Sequence, residues 1–167
     1  MLRVVFAGSP DCAVPALEAV AAAHTVVAVL SNPPAPSGRS REPHSTPVAQ
    51  AAERLKKEGL IAPEVPVITP EKITDEIRDQ LAAVKPDAMA CFAYGKIFGP
   101  KTLALFPLGA VNLHPSLLPR WRGCAPVPAA ILAGDRVTGI SIQKMVREMD
   151  AGDILAQKQY TIDPTET

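Results

Sequence analysis

The sequence predicts an α/β fold: an open, doubly wound, mostly parallel sheet with an antiparallel extension at its C-terminal end. Short apolar runs that suit buried strands alternate with longer amphipathic stretches over most of the chain. Near the end of the chain the pattern changes to alternation of apolar and polar residues, which is typical of antiparallel strands. The 167 residues are enough for one domain with its own hydrophobic core.

The first part of the chain predicts a βαβ unit followed by a loop. The apolar runs 2–7 and 25–30 are the predicted strands, and residues 13–23 between them are the predicted helix. Because both runs are apolar almost throughout, we expect parallel strands that are buried on both faces. Residues 32–43 contain four prolines, which predicts a long exposed loop without regular structure.

Strands and helices continue to alternate through the middle of the chain. Ser45 and Thr46 are typical of a helix N-cap, and Pro47 suits the first helical turn that follows them. The predicted helices are residues 47–58, 71–84 and 127–133, and the predicted strands are residues 65–68, 88–92 and 109–113. Ligands of such Rossmann-like sheets bind outside the carboxyl ends of the strands, where the strand order reverses.

The last two predicted strands are residues 137–145 and 154–162. Each alternates apolar and polar residues, and Asp150 and Gly152 lie in the turn between them. We therefore expect these two strands to pair as the antiparallel extension of the sheet.

Composition argues against several classes of protein. Seventeen basic residues balance seventeen acidic ones, so no overall field attracts nucleic acid or a membrane surface. No apolar run approaches the roughly 20 residues of a membrane span, and the N-terminus lacks a signal-peptide pattern, so we expect a cytoplasmic protein without a membrane partner. Cys12, Cys91 and Cys124 are far apart and have no histidine at ligand spacing, which predicts buried free thiols and no bound metal.

The turn after the first strand does not match a dinucleotide site. A fingerprint there would need glycines at positions 8, 10 and 13, and the chain has Gly8, Pro10 and Ala13. This disfavours an oxidoreductase that binds NAD or FAD. The amides of Gly8 and Ser9 could still bind an anion or a carbonyl, or the turn could simply be tight.

The residues best suited to catalysis follow the strand predicted at 109–113. Asn112 and His114 are two positions apart, so on extended backbone both side chains leave the same face. A carboxylate packed beside His114 would hold the imidazole in one orientation, and Asp150 is the candidate. A histidine near a strand end is more often structural than catalytic, so both interpretations stay open on the residues alone.

Two strings of residues resemble the signatures of the folate-dependent formyltransferases. They are Asn-Leu-His-Pro-Ser-Leu-Leu-Pro at residues 112–119 and Asp-Ala-Gly-Asp at residues 150–153, and the similarity extends over essentially the whole chain. The resemblance implies Asn112, His114 and Asp150 as the catalytic trio and 10-formyltetrahydrofolate as the formyl donor, without a metal. Asn112 and protonated His114 would donate to the formyl oxygen, while Asp150 would keep His114 charged and help remove a proton from the attacking nitrogen.

The resemblance, together with the positions of residues at strand ends and on loops near the expected cleft, gives candidates for contacts with the two substrates. The candidates for the folate are Ser116, Leu117, Leu118 and Pro119, together with Phe92, Tyr94 and Gly95 at the end of the neighbouring strand. The candidates for the acceptor are Gly8, Ser9, Arg39, Arg41, Arg120 and Arg122. The segments at residues 6–11, 38–39 and 120–126 imply the α-amino group of initiator methionyl-tRNA as that acceptor, although solvated loop charge is the alternative for the arginines.

Other functions stay open. The acceptor could be another amine, such as an amino sugar nucleotide or glycinamide ribonucleotide, or it could be water, and the chain could be a folate-binding fragment without activity. Residues 32–34 lack an acidic residue usual in the family, and residues 40–43 replace a more basic run. The family continues into a C-terminal β-barrel that helps hold tRNA, so we expect residues 1–167 to be a monomeric catalytic domain that is incomplete at its C-terminal end.

Overall fold

The computed structural model describes residues 1–36, 42–163 and 165. The chain divides into two compact units, Met1–Ala110 and Val111–Thr167. Along the first unit the elements are β1 (Arg3–Gly8), α1 (Val14–Ala23), β2 (Thr25–Leu30), β3 (Ala35–Pro36), β4 (Pro43–His44), α2 (Pro47–Lys57), β5 (Val67–Ile68), α3 (Asp75–Ala83), β6 (Ala88–Phe92), α4 (Pro100–Leu103) and the first residue of β7 (Ala110–His114).

The sheet of the first unit is parallel, as predicted. Its strand order is β5-β2-β1-β6, and the β1–β2, β1–β6 and β2–β5 pairings are all parallel. Strands β2 and β6 therefore lie on opposite sides of β1, so the strand order reverses at β1. The turn after Gly8 leaves the sheet at this point.

Helix capping explains where two of the helices begin. Thr46 Oγ1 accepts a hydrogen bond from Ala49 N at 3.2 Å, which confirms the predicted start of α2 at Pro47. Thr74 Oγ1 accepts in the same way from Ile77 N at 3.4 Å, so α3 begins at Asp75 and not at residue 71 as predicted. The short helix α4 was not predicted.

The loop predicted at residues 32–43 contains some regular structure, so that prediction was partly wrong. Strands β3 and β4 pair antiparallel, with Ala35 opposite His44 and Pro36 opposite Pro43. Proline is tolerated in such short strands because it lacks only the donor for one ladder bond. Residues 37–41, and with them Arg39 and Arg41, lie outside the described residues.

An apolar core occupies the first unit. Residues of β1, β2, α1 and α2 pack together in it, and they include Phe6, Leu17, Val29, Val48 and Leu55, each at most 1% exposed. Burying such side chains is the main stabilising contribution to the fold of this unit.

The prediction of buried thiols was correct for only one cysteine. Cys91 is buried in β6, whereas Cys12 and Cys124 are exposed. The physical reason is their position: Cys12 lies in the 3₁₀ turn after β1, and Cys124 lies in the loop before the next helix. Burial raises the pKa of the Cys91 thiol to about 12, so that thiol stays protonated.

The second unit is built from antiparallel strands. It contains the remainder of β7, α5 (Pro126–Leu132), β8 (Val137–Lys144) and β9 (Ile154–Thr161). Strand β8 pairs antiparallel with both β7 and β9, which confirms the predicted antiparallel extension. Strand β7 ends at His114, one residue beyond the prediction, and α5 begins one residue earlier than predicted.

The predicted fold class is confirmed: the chain is α/β, with mostly parallel strands followed along the sequence by antiparallel ones. In the part of the chain that the structure describes, no helix is both long enough and apolar enough to cross a membrane.

Candidate active site

His114 is the last residue of β7 and is 4% exposed. Its Nε2 lies 2.8 Å from the Trp121 carbonyl oxygen, and its Nδ1 lies 3.6 Å from Asp150 Oδ2. A backbone carbonyl can only accept, so Nε2 carries the hydrogen of that bond. At 3.6 Å the contact of Nδ1 with Oδ2 is an ion-pair distance and not a hydrogen bond, so Asp150 faces one ring nitrogen while the other donates to the Trp121 carbonyl.

Asp150 lies in the turn between β8 and β9 and has a positive φ of 51°. Its Oδ2 accepts from Gly123 N at 2.8 Å, and its Oδ1 accepts from Gln143 Nε2 at 2.8 Å. Both oxygens are therefore held by donors from other parts of the second unit. The structure brings Asp150 and His114 together, although they are 36 positions apart in the sequence.

Asn112 shares a face of β7 with His114. Asn112 lies opposite Gln143 in the β7–β8 ladder, and His114 lies opposite Ser141. Residues directly opposite in an antiparallel pair project to the same side of the sheet. The register therefore places Asn112 on the side of Gln143, whose amide holds Asp150.

The loop after His114 is held by buried polar contacts. Ser141 Oγ donates to the Ser116 carbonyl at 2.6 Å and accepts from Leu118 N at 3.0 Å. Gln157 Nε2 donates to the Leu118 carbonyl at 3.0 Å. Ser116 and Leu118 are buried, at 0% and 5% exposure, Leu117 is half-buried, and Pro119 is exposed. Whether these four residues contact a folate stays a prediction.

Arg120 and Trp121 form a cluster with Asp135. Arg120 donates from Nε and Nη2 to the two oxygens of Asp135, at 3.0 and 2.7 Å, and its guanidinium lies 4.4 Å from the centre of the Trp121 ring. Trp121 Nε1 donates to the same carboxylate at 2.7 Å. These donors hold the pKa of Asp135 below its usual range. Arg122, the other acceptor candidate of this segment, is exposed, and a contact of either arginine with the acceptor stays a prediction.

Gly8 and Ser9 lie at the carboxyl end of β1 in the first unit. A Cβ on Gly8 would lie 2.8 Å from the Phe92 carbonyl oxygen, so only glycine allows β1 and β6 to approach this closely. Ser9 Oγ accepts from Asn32 N at 3.1 Å, and the Ser9 carbonyl accepts from Val48 N at 3.2 Å. These contacts explain both residues structurally, and a contact with the acceptor stays a prediction.

Phe92, Tyr94 and Gly95 lie at the end of β6, also in the first unit. Tyr94 is 1% exposed and stacks on Phe98 with ring centres 5.2 Å apart. Burial raises the pKa of Tyr94 to about 12. Phe92 is half-buried, and Gly95 is exposed with a φ of 79°. A role for these residues in folate binding stays a prediction.

Sequence reasoning missed Gln143, Ser141 and Gln157, together with the carbonyl of Trp121. The available signal was the polar residues at positions 141 and 143 of β8, which share one face of the strand, while Ile140 and Ile142 lie on the other. Pairing β8 with β7 would have placed that face beside Asn112 and His114, but the sequence does not give the register.

Comparison with known proteins identifies relatives of the whole chain. A family model described as Formyl transferase matches residues 2–167. The methionyl-tRNA formyltransferase of Treponema pallidum (strain Nichols) is 56% identical over 167 residues, which are 100% of this chain and 52% of that protein. The enzyme of the same name from Treponema denticola is 53% identical over 166 residues, which are 99% of this chain and 52% of that protein. The chain thus spans about half the length of the curated relatives it matches.

A solved structure shares the fold. Glycinamide ribonucleotide transformylase 1 from Geobacillus kaustophilus matches with a TM-score of 0.76 and 25% identity, over 100% of this chain and 86% of that one. The family model leaves only the first residue of this chain unmatched. On these matches, the chain belongs to the formyl transferase family.

Proposed function

We propose that this chain carries the catalytic centre of a formyltransferase that moves the formyl group of 10-formyltetrahydrofolate to the α-amino group of initiator methionyl-tRNA. The observation that carries the proposal is the His114–Asp150 pair, with Asn112 two residues before His114 on the same strand face. The names of relatives that are 53% and 56% identical support methionyl-tRNA as the acceptor. Such a reaction belongs in the cytoplasm, where charged initiator tRNA is used.

In the proposed mechanism the amine attacks the formyl carbon directly. A bond forms between the amine nitrogen and that carbon, negative charge develops on the formyl oxygen, and the bond from the carbon to the folate nitrogen then breaks. The folate nitrogen takes up a proton as it leaves, which balances the proton that the amine loses. The Asn112 amide and the His114 imidazolium donate hydrogen bonds to the oxygen, and each such donor typically lowers the barrier by about 3 to 4 kcal/mol. Asp150 accepts the proton that the attacking nitrogen loses, directly or through a water molecule.

The contact between His114 and Trp121 makes one demand on this mechanism. His114 Nε2 donates to the Trp121 carbonyl, and Nδ1 faces Asp150. In the proposed mechanism the formyl oxygen takes the place of that carbonyl as the acceptor at Nε2.

The acceptor is tested by following a labelled formyl group from 10-formyltetrahydrofolate to methionyl-tRNA, to glycinamide ribonucleotide and to water in parallel. We expect formyl-methionyl-tRNA as the main product. Transfer to glycinamide ribonucleotide, or hydrolysis of the donor alone, would show that the proposed acceptor is wrong. The first alternative is included because a glycinamide ribonucleotide transformylase shares the fold. A fusion to the C-terminal half of the Treponema denticola relative, run beside the chain itself, separates a missing tRNA contact from missing chemistry.

A further inference from the structure

Gln143 is a buried amide that contacts the proposed catalytic residues. It lies on β8, is 2% exposed, and donates from Nε2 to Asp150 Oδ1 at 2.8 Å. Its Oε1 is buried and has no hydrogen-bond partner among residues 1–36, 42–163 and 165. The bond to Asp150 is therefore the one hydrogen bond that this side chain makes within the described chain.

Stability does not account for an amide at this position. Burying an amide is unfavourable unless its hydrogen bonds are made, and here one of its two polar atoms stays unpaired within the described residues. An apolar side chain of similar size at position 143 would avoid that penalty. The contact with Asp150 is what an apolar side chain could not supply.

The orientation of the Gln143 side-chain amide follows from its contact with the Asp150 carboxylate. An ionised carboxylate can only accept hydrogen bonds, so Nε2 has to face it and Oε1 has to face away. Gly123 N holds Oδ2 of the same carboxylate at 2.8 Å, and Gln143 holds Oδ1. Donors on both oxygens oppose rotation of the carboxylate and favour the orientation in which Oδ2 lies 3.6 Å from His114 Nδ1.

We propose that Gln143 is a positioning residue of this active centre, whose amide N–H holds the Asp150 carboxylate in the orientation that faces His114. The inference rests on the proposed function for the chemical role of Asp150, but the contact itself can be tested without turnover. The titratable groups that face Gln143 are Asp150 and, beyond it, His114. Lys144, the next residue, pairs instead with Asp153 at 3.3 Å.

Two substitutions of similar size separate positioning from packing. Gln143→Met fills the same space without a donor, and we expect kcat for formyl transfer to fall about 10- to 100-fold with the KM for the formyl donor unchanged. Gln143→Glu replaces the donor by a second carboxylate facing Asp150. At neutral pH its activity should be lower still. Its rate relative to the unsubstituted chain should rise toward acid pH, because a shared proton restores an O–H donor between the two carboxylates.

The matched control is Gln159→Met, which changes an exposed glutamine of β9. It should leave the rate unchanged, and circular dichroism reports whether each variant is folded. A Gln143→Met rate equal to that of Gln159→Met would overturn the proposal. So would a rate ratio for folded Gln143→Glu that does not change with pH.

An NMR measurement that needs no enzyme activity tests this proposal separately from the proposed function. The chain has three histidines, His24, His44 and His114, so their ring-proton signals can be resolved by NMR at one fixed pH. Gln143→Met should shift the His114 signals and leave those of His24 and His44 in place. If neither the chain nor the fusion to the C-terminal half of the relative transfers a formyl group, the proposed function fails, whereas an unmoved His114 signal would overturn the positioning role separately.

Discussion

The two units differ in what fills their interiors. Most of the buried hydrophobic side chains belong to the first unit, where Phe6, Leu17 and Leu30 are each at most 1% exposed. In the second unit, the buried side chains of β7, β8 and the loop after β7 include four polar ones: His114, Ser116, Ser141 and Gln143. An apolar core contributes stability in proportion to the area that it buries, whereas a buried polar network adds little net stability and fixes geometry. Substitutions in the two units should therefore have different consequences.

The largest effect is expected from the proposed oxyanion donors in the second unit. His114→Ala and Asn112→Ala should each reduce kcat for formyl transfer by at least about a hundredfold, because each removes a donor that contributes about 3 kcal/mol. Circular dichroism should show that both variants stay folded. A variant with near-normal turnover would remove its residue from the proposed mechanism.

The next largest effect is expected on stability, from a substitution in the apolar core of the first unit. Leu17 is 0% exposed in the core of the first unit, so Leu17→Ala should lower the free energy of unfolding by about 2 to 5 kcal/mol. Leu60→Ala, at a position 51% exposed in the same unit, is the control and should cost far less. Thermal unfolding measures both. The rate of formyl transfer per folded molecule should stay unchanged in both variants. A large loss of that rate in folded protein would contradict the claim that the first unit contributes stability and the second unit contributes catalysis.

The smallest effect is expected at Asp135, beside the network of the second unit. Arg120 and Trp121 lower the pKa of this carboxylate in the folded chain. A depressed folded-state pKa stabilises the fold above the unfolded value of about 3.9, and that contribution is lost as the pH falls through the lower folded value. The emission of Trp121, the single tryptophan, should therefore change in acid. Asp135→Asn should lack that acid transition, and an identical transition in the variant would assign it to another group.

Much of the first unit could be predicted because its elements depend on local signals. Residues 25–30 and 88–92 form strands within the predicted bounds, since long apolar runs suit strands that are buried on both faces. The cap at Thr46 placed the start of α2 correctly. The short β3–β4 pairing was missed because prolines in a loop argue against a ladder.

The candidate site was predicted only in part, because its geometry depends on strand register. Alternation predicted β8 as a strand, but the face that is buried is not the apolar one. Ile140 and Ile142 are 43% and 37% exposed, whereas Ser141 and Gln143 are 0% and 2% exposed. Hydrophobicity alone would bury the two isoleucines. The polar face is buried because its side chains bond to Asp150 and to the loop after β7, and those contacts are tertiary.

The most direct test of the account compares two carboxylates near the turn between β8 and β9. Asp150 is held beside His114, whereas Glu148, two residues earlier, is exposed. We predict that Asp150→Ala slows formyl transfer from 10-formyltetrahydrofolate to methionyl-tRNA by at least about a hundredfold, and that Glu148→Ala transfers at the rate of the unsubstituted chain. Near-normal transfer by folded Asp150→Ala would contradict the central claim that the polar network of the second unit is the catalytic centre.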